Sequence, residues 1–581
     1  MNSFFERRYV ILSIFILVML MLIGRLFYIQ IVDDKYLAFA QNNVLRRFIK
    51  YPDRGAIGFF VQPRSVRSYP DSVAAQFLGY ISEVNDKIIE KSNGYYNPGD
   101  YVGISGVEKS YETILRGQRG VENLLVDSRN VPKGKYMNGR YDTAAVAGER
   151  LISSLDIRIQ KLGEKLMQNK VGSIVAIEPS TGEILAFVSS PTYDPNELVG
   201  RERGNNISAM YKNPYSPLLI RPIQAYYPPG SSFKPLDALI ALQEGIITPQ
   251  TTFFCPHYYQ AGGHRVNCEH YDGITDLRKG ISQSCNTYFC NVFHEIINQN
   301  GGNNTTATYL NWKKEVNKFG FGVKLDVDLP NERKGLVPAP ARYDRAYGKN
   351  HWRANTIISM AIGQGELLAT PLQMANIECT IANHGYYYRP HLIKAIGDKD
   401  VIKPEFREKV SVGIDSNYFE PVINGMQDVV DYGTATASKI PGIVMCGKTG
   451  TVQNPHGKNH SVFVAFAPRD HPKIAIAVVV ENAGYGASWA APIASFMVEK
   501  YLRDSITRRP SGINPKKYMD ANLMPSMPGS KPKTYYKTTP GDSLKKFPSD
   551  SNHKSIKTDT GRKKTVTYKI ASNQPKRKED E

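Results

Sequence analysis

The first strong signal along the chain is an apolar run. Tyr9 to Gln30 reads YVILSIFILVMLMLIGRLFYIQ and is almost wholly apolar from Val10 to Gly24. About 20 such residues cross the hydrocarbon core of a bilayer, so the pattern predicts one membrane-spanning helix over 9–31. Arg7 and Arg8 precede it and place the short N-terminus, 1–8, on the cytoplasmic side. Tyr28 suits the interface, and Arg25 can extend towards the far headgroups. The run is longer than the apolar centre of a cleaved signal peptide, and no small-residue cleavage site follows it. The reading is a single-pass anchor in the cytoplasmic (inner) membrane, with the rest of the chain on the periplasmic, extracytoplasmic side.

Residues 32–148 are polar, with short apolar runs and many Gly and Pro, and predict a small α+β domain. Within them YVGISGVEKSYETILRGQRG turns at its glycines and then places Val107, Tyr111, Ile114 and Leu115 at helical spacing. A larger domain is expected over 149–504. LISSLDIRIQKLGEKLM opens it as a short strand followed by an amphipathic helix. GSIVAIEPSTGEILAFVSS, from Gly172 to Ser190, predicts a β-hairpin turning at Pro179-Ser180-Thr181-Gly182. HSVFVAFAP and KIAIAVVVENA predict two more strands, His460–Pro468 and Lys473–Ala483. Strands at both ends with helical sequence between them fit one sheet completed by N- and C-terminal strands. Over 505–581 Lys, Ser, Thr, Pro and Asn replace apolar residues, so this basic segment is expected to be disordered.

Composition changes this picture little. The 581 residues carry a formal net charge of +19, but Lys and Arg outnumber Asp and Glu most clearly from Ser511 onward. No zinc-finger, helix-turn-helix or RNA-binding signature is present, so nucleic acid is not an expected partner. Six cysteines, Cys255, Cys268, Cys285, Cys290, Cys379 and Cys446, are too few for a disulfide scaffold.

The candidate chemistry lies in three short motifs. Tyr227 to Pro235 reads YPPGSSFKP and contains Ser231-Ser232-Phe233-Lys234; Ser284-Cys285-Asn286 follows; Lys448-Thr449-Gly450-Thr451 comes last. Each is weak alone, and the ordered set is strong. Positions i and i+3 of a helix share a face, so Ser231 at a helix start lies beside the Lys234 amine. Serine is a poor nucleophile without a neighbouring base, and lysine serves as one when burial lowers its pKa. The Ser231 N–H, at a helix N-terminus, suits a developing oxyanion. Ser284 can relay a proton to a leaving amine, and Asn286 can hold a substrate amide and orient Lys234. K-T-G-T suits an edge strand. Gly450 lets a substrate backbone approach and pair, while Lys448, Thr449 and Thr451 offer charge and hydroxyls to a carboxylate.

At these residues the chain resembles the class B penicillin-binding proteins, in particular the elongation-type penicillin-binding protein 2 group. GFFVQPRSVRSYP (58–70), LGYISEV (78–84) and GISGVEKSYETILRG (103–117) are similar to that family's pedestal, or dimerisation-type, domain. IVAIEPSTGEILAFVSSPTYDPN (174–196) and AIGQGELLATPLQMA (361–375) are similar to its transpeptidase domain. The resemblance implies an α+β serine β-lactamase/transpeptidase-like fold, a five-stranded antiparallel sheet flanked by helices. It implies peptidoglycan D,D-transpeptidation during cell elongation and shape maintenance, through an acyl-serine intermediate. Ser231 would be the acylated nucleophile and Lys234 its base, with Ser284, Asn286 and Lys448 completing the catalytic set. Thr449, Gly450 and Thr451 would bind substrate, and the N–H groups of Ser231 and Thr451 would form the oxyanion hole. Implied partners are stem peptides ending in D-Ala-D-Ala, β-lactam antibiotics, a SEDS-family glycosyltransferase and other elongation-complex proteins. The chain departs from the family near 57–58, where Ile57 passes straight into Gly58-Phe59-Phe60 and a head subdomain is expected to be absent. Cys285, where many relatives carry Asp or Ser, is expected mainly to pack.

FCPHYYQAGGHRVNCEH, 254–270, adds two C-x-H pairs. Cys255, His257, Cys268 and His270 could hold a structural zinc, Cys255 and Cys268 could form a disulfide in an oxidising compartment, or the segment could do neither; in no case would it do the chemistry. Rival readings are a serine β-lactamase, a division-type relative and an idle membrane-anchored scaffold. The absence of an E-x-x-x-N pattern between Asn286 and Lys448 argues against the first. GQGELLATPLQ argues against the second, and the intact motifs argue against the third.

Overall fold

Five apolar segments pair into a single antiparallel sheet. They are β1 (Gly172–Ile177), β2 (Ile184–Ser190), β3 (Cys446–Val452), β4 (His460–Ala467) and β5 (Ile474–Val480), in the order β3-β4-β5-β1-β2. The computed structural model describes residues 3–27, 45–50 and 67–525, apart from 128, 130, 201, 270–272, 303, 399–400, 456 and 508. The register sets Gly450 opposite Val462, Val464 opposite Ala477, Val478 opposite Ile174 and Val175 opposite Phe187. Every residue of β1, β2 and β5 is buried. That is why these strands read as unbroken apolar runs rather than alternating ones: both faces of the sheet are covered. The β1–β2 hairpin and its 179–182 turn form as expected.

Helices α1 (Ile157–Met167) and α6 (Ala490–Arg503) cover one face, and α4 (Pro371–Ala382) packs on β1, β4 and β5 from the other. Close approach of α1 needs a glycine. A Cβ on Gly163 would lie 2.8 Å from Val188 Cγ2 and 3.1 Å from the Met497 methyl. Between the hairpin and β3 lie α2 (Lys234–Gln243), α3 (Asn286–Asn298) and α5 (Phe419–Asp431), which with α4 form the helical layer beside the site. The expected five-stranded sheet with helices on both sides is present.

In the smaller domain, strands Leu45–Lys50, Gly120–Val126 and Pro132–Lys135 form a three-stranded sheet. The helical spacing after Tyr101 resolves into two short helices, Gly106–Ser110 and Glu112–Leu115. Buried polar contacts join this domain to the larger one. Tyr111 Oη donates to Asp328 Oδ2 (2.8 Å), and Gln76 Nε2 donates to the carbonyls of Pro191 (3.2 Å) and Pro217 (2.9 Å). Burial raises the Asp328 carboxyl pKa, while backbone N–H groups of Leu392 and Ile393 and the Tyr111 hydroxyl oppose the rise. The expected missing head falls on residues outside those described.

Two terminal expectations meet the structure differently. A helix, Ser3–Phe27, occupies most of the apolar run, and its side chains from Leu12 to Ile23 are exposed. Among the described residues no helix is long and apolar enough to cross a membrane. At the other end, the disorder expected from 505 is not what the described residues up to 525 show. Arg509 is fully buried and ion-paired with Glu499 (2.8 Å), and Tyr518 packs edge-on against Trp489 and Phe496. Helix α7 (Pro515–Asp520) follows, and the chain docks on α1: Leu523 N–H donates to Asn169 O, and Lys170 Nζ to Ala521 O. Composition averages over such a strap, whereas a few anchors, Arg509 and Tyr518 with Ile506, Ile513, Met519 and Leu523 packed beside them, hold it to the core.

Candidate active site

The nucleophile turn is held from several sides before any chemistry is considered. Gly230–Phe233 forms a 3₁₀ turn that runs directly into α2, so Ser231 and Lys234 face the same way. Phe233 is buried against Trp312 and Phe321. Trp312 Nε1 donates to Asp237 Oδ1 (2.9 Å) and so ties α2 to its neighbour, while burial drives the Asp237 carboxyl pKa far up against that hydrogen bond. Tyr227, four residues before the serine, donates to Glu481 (2.7 Å) and forms a backbone bridge with Ala369. Ser231 itself stays half-buried at the mouth of the site.

Lys234 is completely buried. Its Nζ donates to Asn286 Oδ1 (2.7 Å) and to the Ser284 carbonyl (2.8 Å), and lies 3.3 Å from Ser284 Oγ. The first two partners only accept, so they consume two N–H groups. A neutral amine then has its lone pair left for a hydroxyl. Burial pulls the Lys234 pKa down to about 8. Lys448 is also fully buried and donates to the same Ser284 Oγ (2.8 Å). Burial first, and repulsion by Lys234 second, hold its pKa well below the usual lysine range. One serine hydroxyl therefore links two amines that a dry pocket resists charging together. Ser284 adopts φ +57°, in the left-handed region, which lets both its carbonyl and its hydroxyl meet Lys234.

Lys234, Ser284, Asn286 and Lys448 share one hydrogen-bonded network, and Gly450 of K-T-G-T lies against Pro229 at the start of the nucleophile turn. Asn286 orients Lys234 as expected, but its Nδ2 is engaged with Asn267 O (2.7 Å). K-T-G-T lies on β3, an edge strand as expected. The space left by Gly450 belongs to the protein itself: a Cβ there would meet the Pro229 carbonyl at 3.0 Å and Val462 Cβ at 3.1 Å. Thr449 Oγ1 is 2.7 Å from Thr434 Oγ1, a partner the motifs did not signal, and Gln364 Nε2 donates to the Thr451 carbonyl (3.1 Å). Gln364 stood in the sequence only as part of a family-like stretch. Nothing local marked Thr434.

The cysteine segment rearranges the expected ligand set. Cys255, Cys268 and Cys285 are buried thiols with all three sulfurs within 4.8 Å of one another. Cys255 and Cys268 are not bonded to each other. His257 is not in this cluster; its carbonyl instead accepts from Cys268 N–H (2.7 Å), and His270 lies outside the described residues. Cys285 does more than pack: its sulfur caps α3 by accepting from Tyr288 N–H and lies 3.8 Å from Cys268 Sγ.

Comparisons with known proteins match two domains in the chain. Residues 172–499 match the family model of the penicillin binding protein transpeptidase domain, and residues 41–152 match the penicillin-binding protein dimerisation domain. The chain is 34% identical over 483 residues to the peptidoglycan D,D-transpeptidase MrdA of Acinetobacter baumannii, covering 79% of this chain and 69% of that protein. The protein of that name from Escherichia coli is 30% identical over 475 residues, with 77% and 72% covered. A crystal structure of Pseudomonas aeruginosa PBP2 in complex with WCK 5153 aligns with a TM-score of 0.66 at 30% identity, over 79% of this chain and 97% of that one. The complex of PBP2 with MreC from Helicobacter pylori gives 0.63 at 28% identity, over 76% and 79%.

Proposed function

The chain belongs to the penicillin-binding protein transpeptidases, and from that premise we propose how its own residues carry the reaction. It is a peptidoglycan D,D-transpeptidase of the elongation type. One observation carries the residue assignment: a single hydroxyl, Ser284 Oγ, lies within hydrogen-bond reach of two buried, pKa-depressed lysines beside the nucleophile turn.

Neutral Lys234 takes the Ser231 proton as Oγ attacks the carbonyl of the penultimate D-Ala. The oxyanion is received by the N–H groups of Ser231 and Thr451. Ser284, between the lysines, passes a proton to the departing D-Ala amine. Lys448 with Thr449 and Thr451 holds the donor's terminal carboxylate, and Thr434 fixes the Thr449 hydroxyl. The amine of a neighbouring stem peptide then attacks the acyl-serine and frees Ser231. A β-lactam enters the first half of this cycle as a substrate mimic.

Beyond the site, the chain works in a wall-elongation assembly; the solved Helicobacter pylori relative is bound to MreC. The finer reading is a single-pass inner-membrane anchor over 9–31, a periplasmic catalytic domain and a SEDS-family glycosyltransferase as partner. The apolar run from Val10 to Gly24 supports the anchor. The thiol trio supplies three of the four donors a structural zinc takes, and three buried soft donors in one place suit that ion. Cys255, Cys268 and Cys285 would hold it, and it would brace the second motif without entering the reaction.

A fluorescent penicillin followed over time tests the reading. Stable covalent labelling that disappears in Ser231→Ala is the expected result. Labelling that decays within seconds would instead make the protein a β-lactamase, and no labelling of folded protein would remove the enzyme reading.

A further inference from the structure

The stretch Ile362–Glu366 lies between the Ser231 turn and β3 and touches both. Gly230 N–H, one residue before the nucleophile, donates to Gly363 O (2.8 Å). Gly363 has φ +66°, and a Cβ on it would lie 2.1 Å from the Gly230 carbonyl, so only glycine allows this contact. Gly365, at φ +71°, follows. Between these two left-handed glycines the backbone presents Gln364, whose Nε2 reaches across to the Thr451 carbonyl (3.1 Å). Gln364 is 9% exposed. The loop itself is anchored, since Gly363 N–H donates to Met360 O and Gln364 N–H to Ser359 O.

The direction of the Thr451 carbonyl matters. In an antiparallel pair the N–H and C=O of one residue point to the same side. Thr451 pairs with Ser461 on β4, yet its carbonyl is taken by Gln364 and lies 3.3 Å from where a Gly230 Cβ would be. Both backbone groups of Thr451 therefore face away from β4, towards the nucleophile turn. An edge strand has no second neighbour to hold it there. Gln364 supplies that hold.

We propose that Gln364 is a positioning residue that clamps β3 to the Ser231 turn, setting the separation of the Ser231 and Thr451 N–H groups for the oxyanion. It touches no reacting atom. The inference rests on the acyl-serine reading above and deepens it.

The test uses the full-length protein and the chromogenic cephalosporin nitrocefin, with pre-steady-state kinetics separating noncovalent Kd from the acylation rate constant k2. In Gln364→Ala and Gln364→Glu, k2 is expected to fall about tenfold, short of the loss caused by deleting an oxyanion donor. Kd and the melting temperature stay at the wild-type values. Gln364→Glu adds a signature that packing alone does not produce. Its k2 relative to wild type rises as pH falls, because the protonated carboxyl regains an O–H to donate to the Thr451 carbonyl. If Gln364→Ala fails to fold, the near-isosteric Gln364→Glu decides. Wild-type k2 in Gln364→Glu at every pH overturns the inference, and so does a loss that ignores pH or tracks melting temperature. A wild-type protein that nitrocefin never acylates overturns the acyl-serine reading instead.

Discussion

The sheet with its site and the strap after it, 505–525, fold by different rules. Strands β1, β2 and β5 are buried along their whole length, so their order rests on many apolar side chains at once. The strap has fewer, and apart from Tyr518 they are only partly buried: Ile506, Ile513, Met519 and Leu523 lie against the edge of the core. Its most buried anchors are Arg509, which meets Glu499 with both side chains fully buried, and Tyr518, which packs against Trp489 and Phe496. Redundant burial leaves a pattern in the sequence. Order built on a few polar or aromatic anchors leaves none, yet a few residues can each matter greatly.

The site makes the largest effects. Removing the base in Lys234→Ala is expected to lower the acylation rate by about 10³-fold or more, within the range for general-base loss combined with a disrupted network. Stopped-flow acylation measures it, with circular dichroism confirming the fold. In the wild type the same rate is expected to rise with pH through about 8, because the amine must be neutral to accept a proton and burial holds its pKa there. A rate flat from below to above that pH would contradict a lysine base.

Next comes the strap. Arg509→Met leaves Glu499 buried without its strongest partner, although Arg503 and Thr507 still approach it. Denaturant unfolding should show a loss of about 3 kcal/mol, the lower end for breaking a buried pair. Tyr518→Ala should cost about 2–3 kcal/mol, as truncation of a buried aromatic that borders surface. If either variant unfolds like the wild type, the strap is an ornament and the contrast with the sheet fails.

Thr434→Val should be the mildest. It removes one hydroxyl from the Thr434–Thr449 pair (2.7 Å) while keeping the volume. A loss of about 1 kcal/mol in kcat/KM for a donor peptide is expected, from one neutral hydrogen bond. The effect should appear in KM if Thr449 binds the carboxylate.

The same contrast explains what was legible in the sequence. The hairpin at 172–190, the strands beginning at His460 and Ile474, and the three motifs are local in the chain, and period and spacing find them. Gln364 and Thr434 act on residues 87 and 15 positions away, and no local pattern connects them. Cys285 stands inside a motif, yet its approach to Cys255 and Cys268 depends on how strands Phe253–Cys255 and His264–Asn267 fold over α3. Arg509 looked like one more charge in a basic tail because composition does not see a buried partner ten residues earlier in α6.

Peptide mapping of the acylated protein tests the central assignment most directly. Full-length protein treated with a β-lactam, digested and sequenced by mass spectrometry should carry one adduct, on Ser231. Ser232, whose hydroxyl donates to the Pro229 carbonyl (2.7 Å), should carry none. An adduct on Ser232 or Ser284, or an unmodified 227–235 peptide from folded protein, would contradict the account.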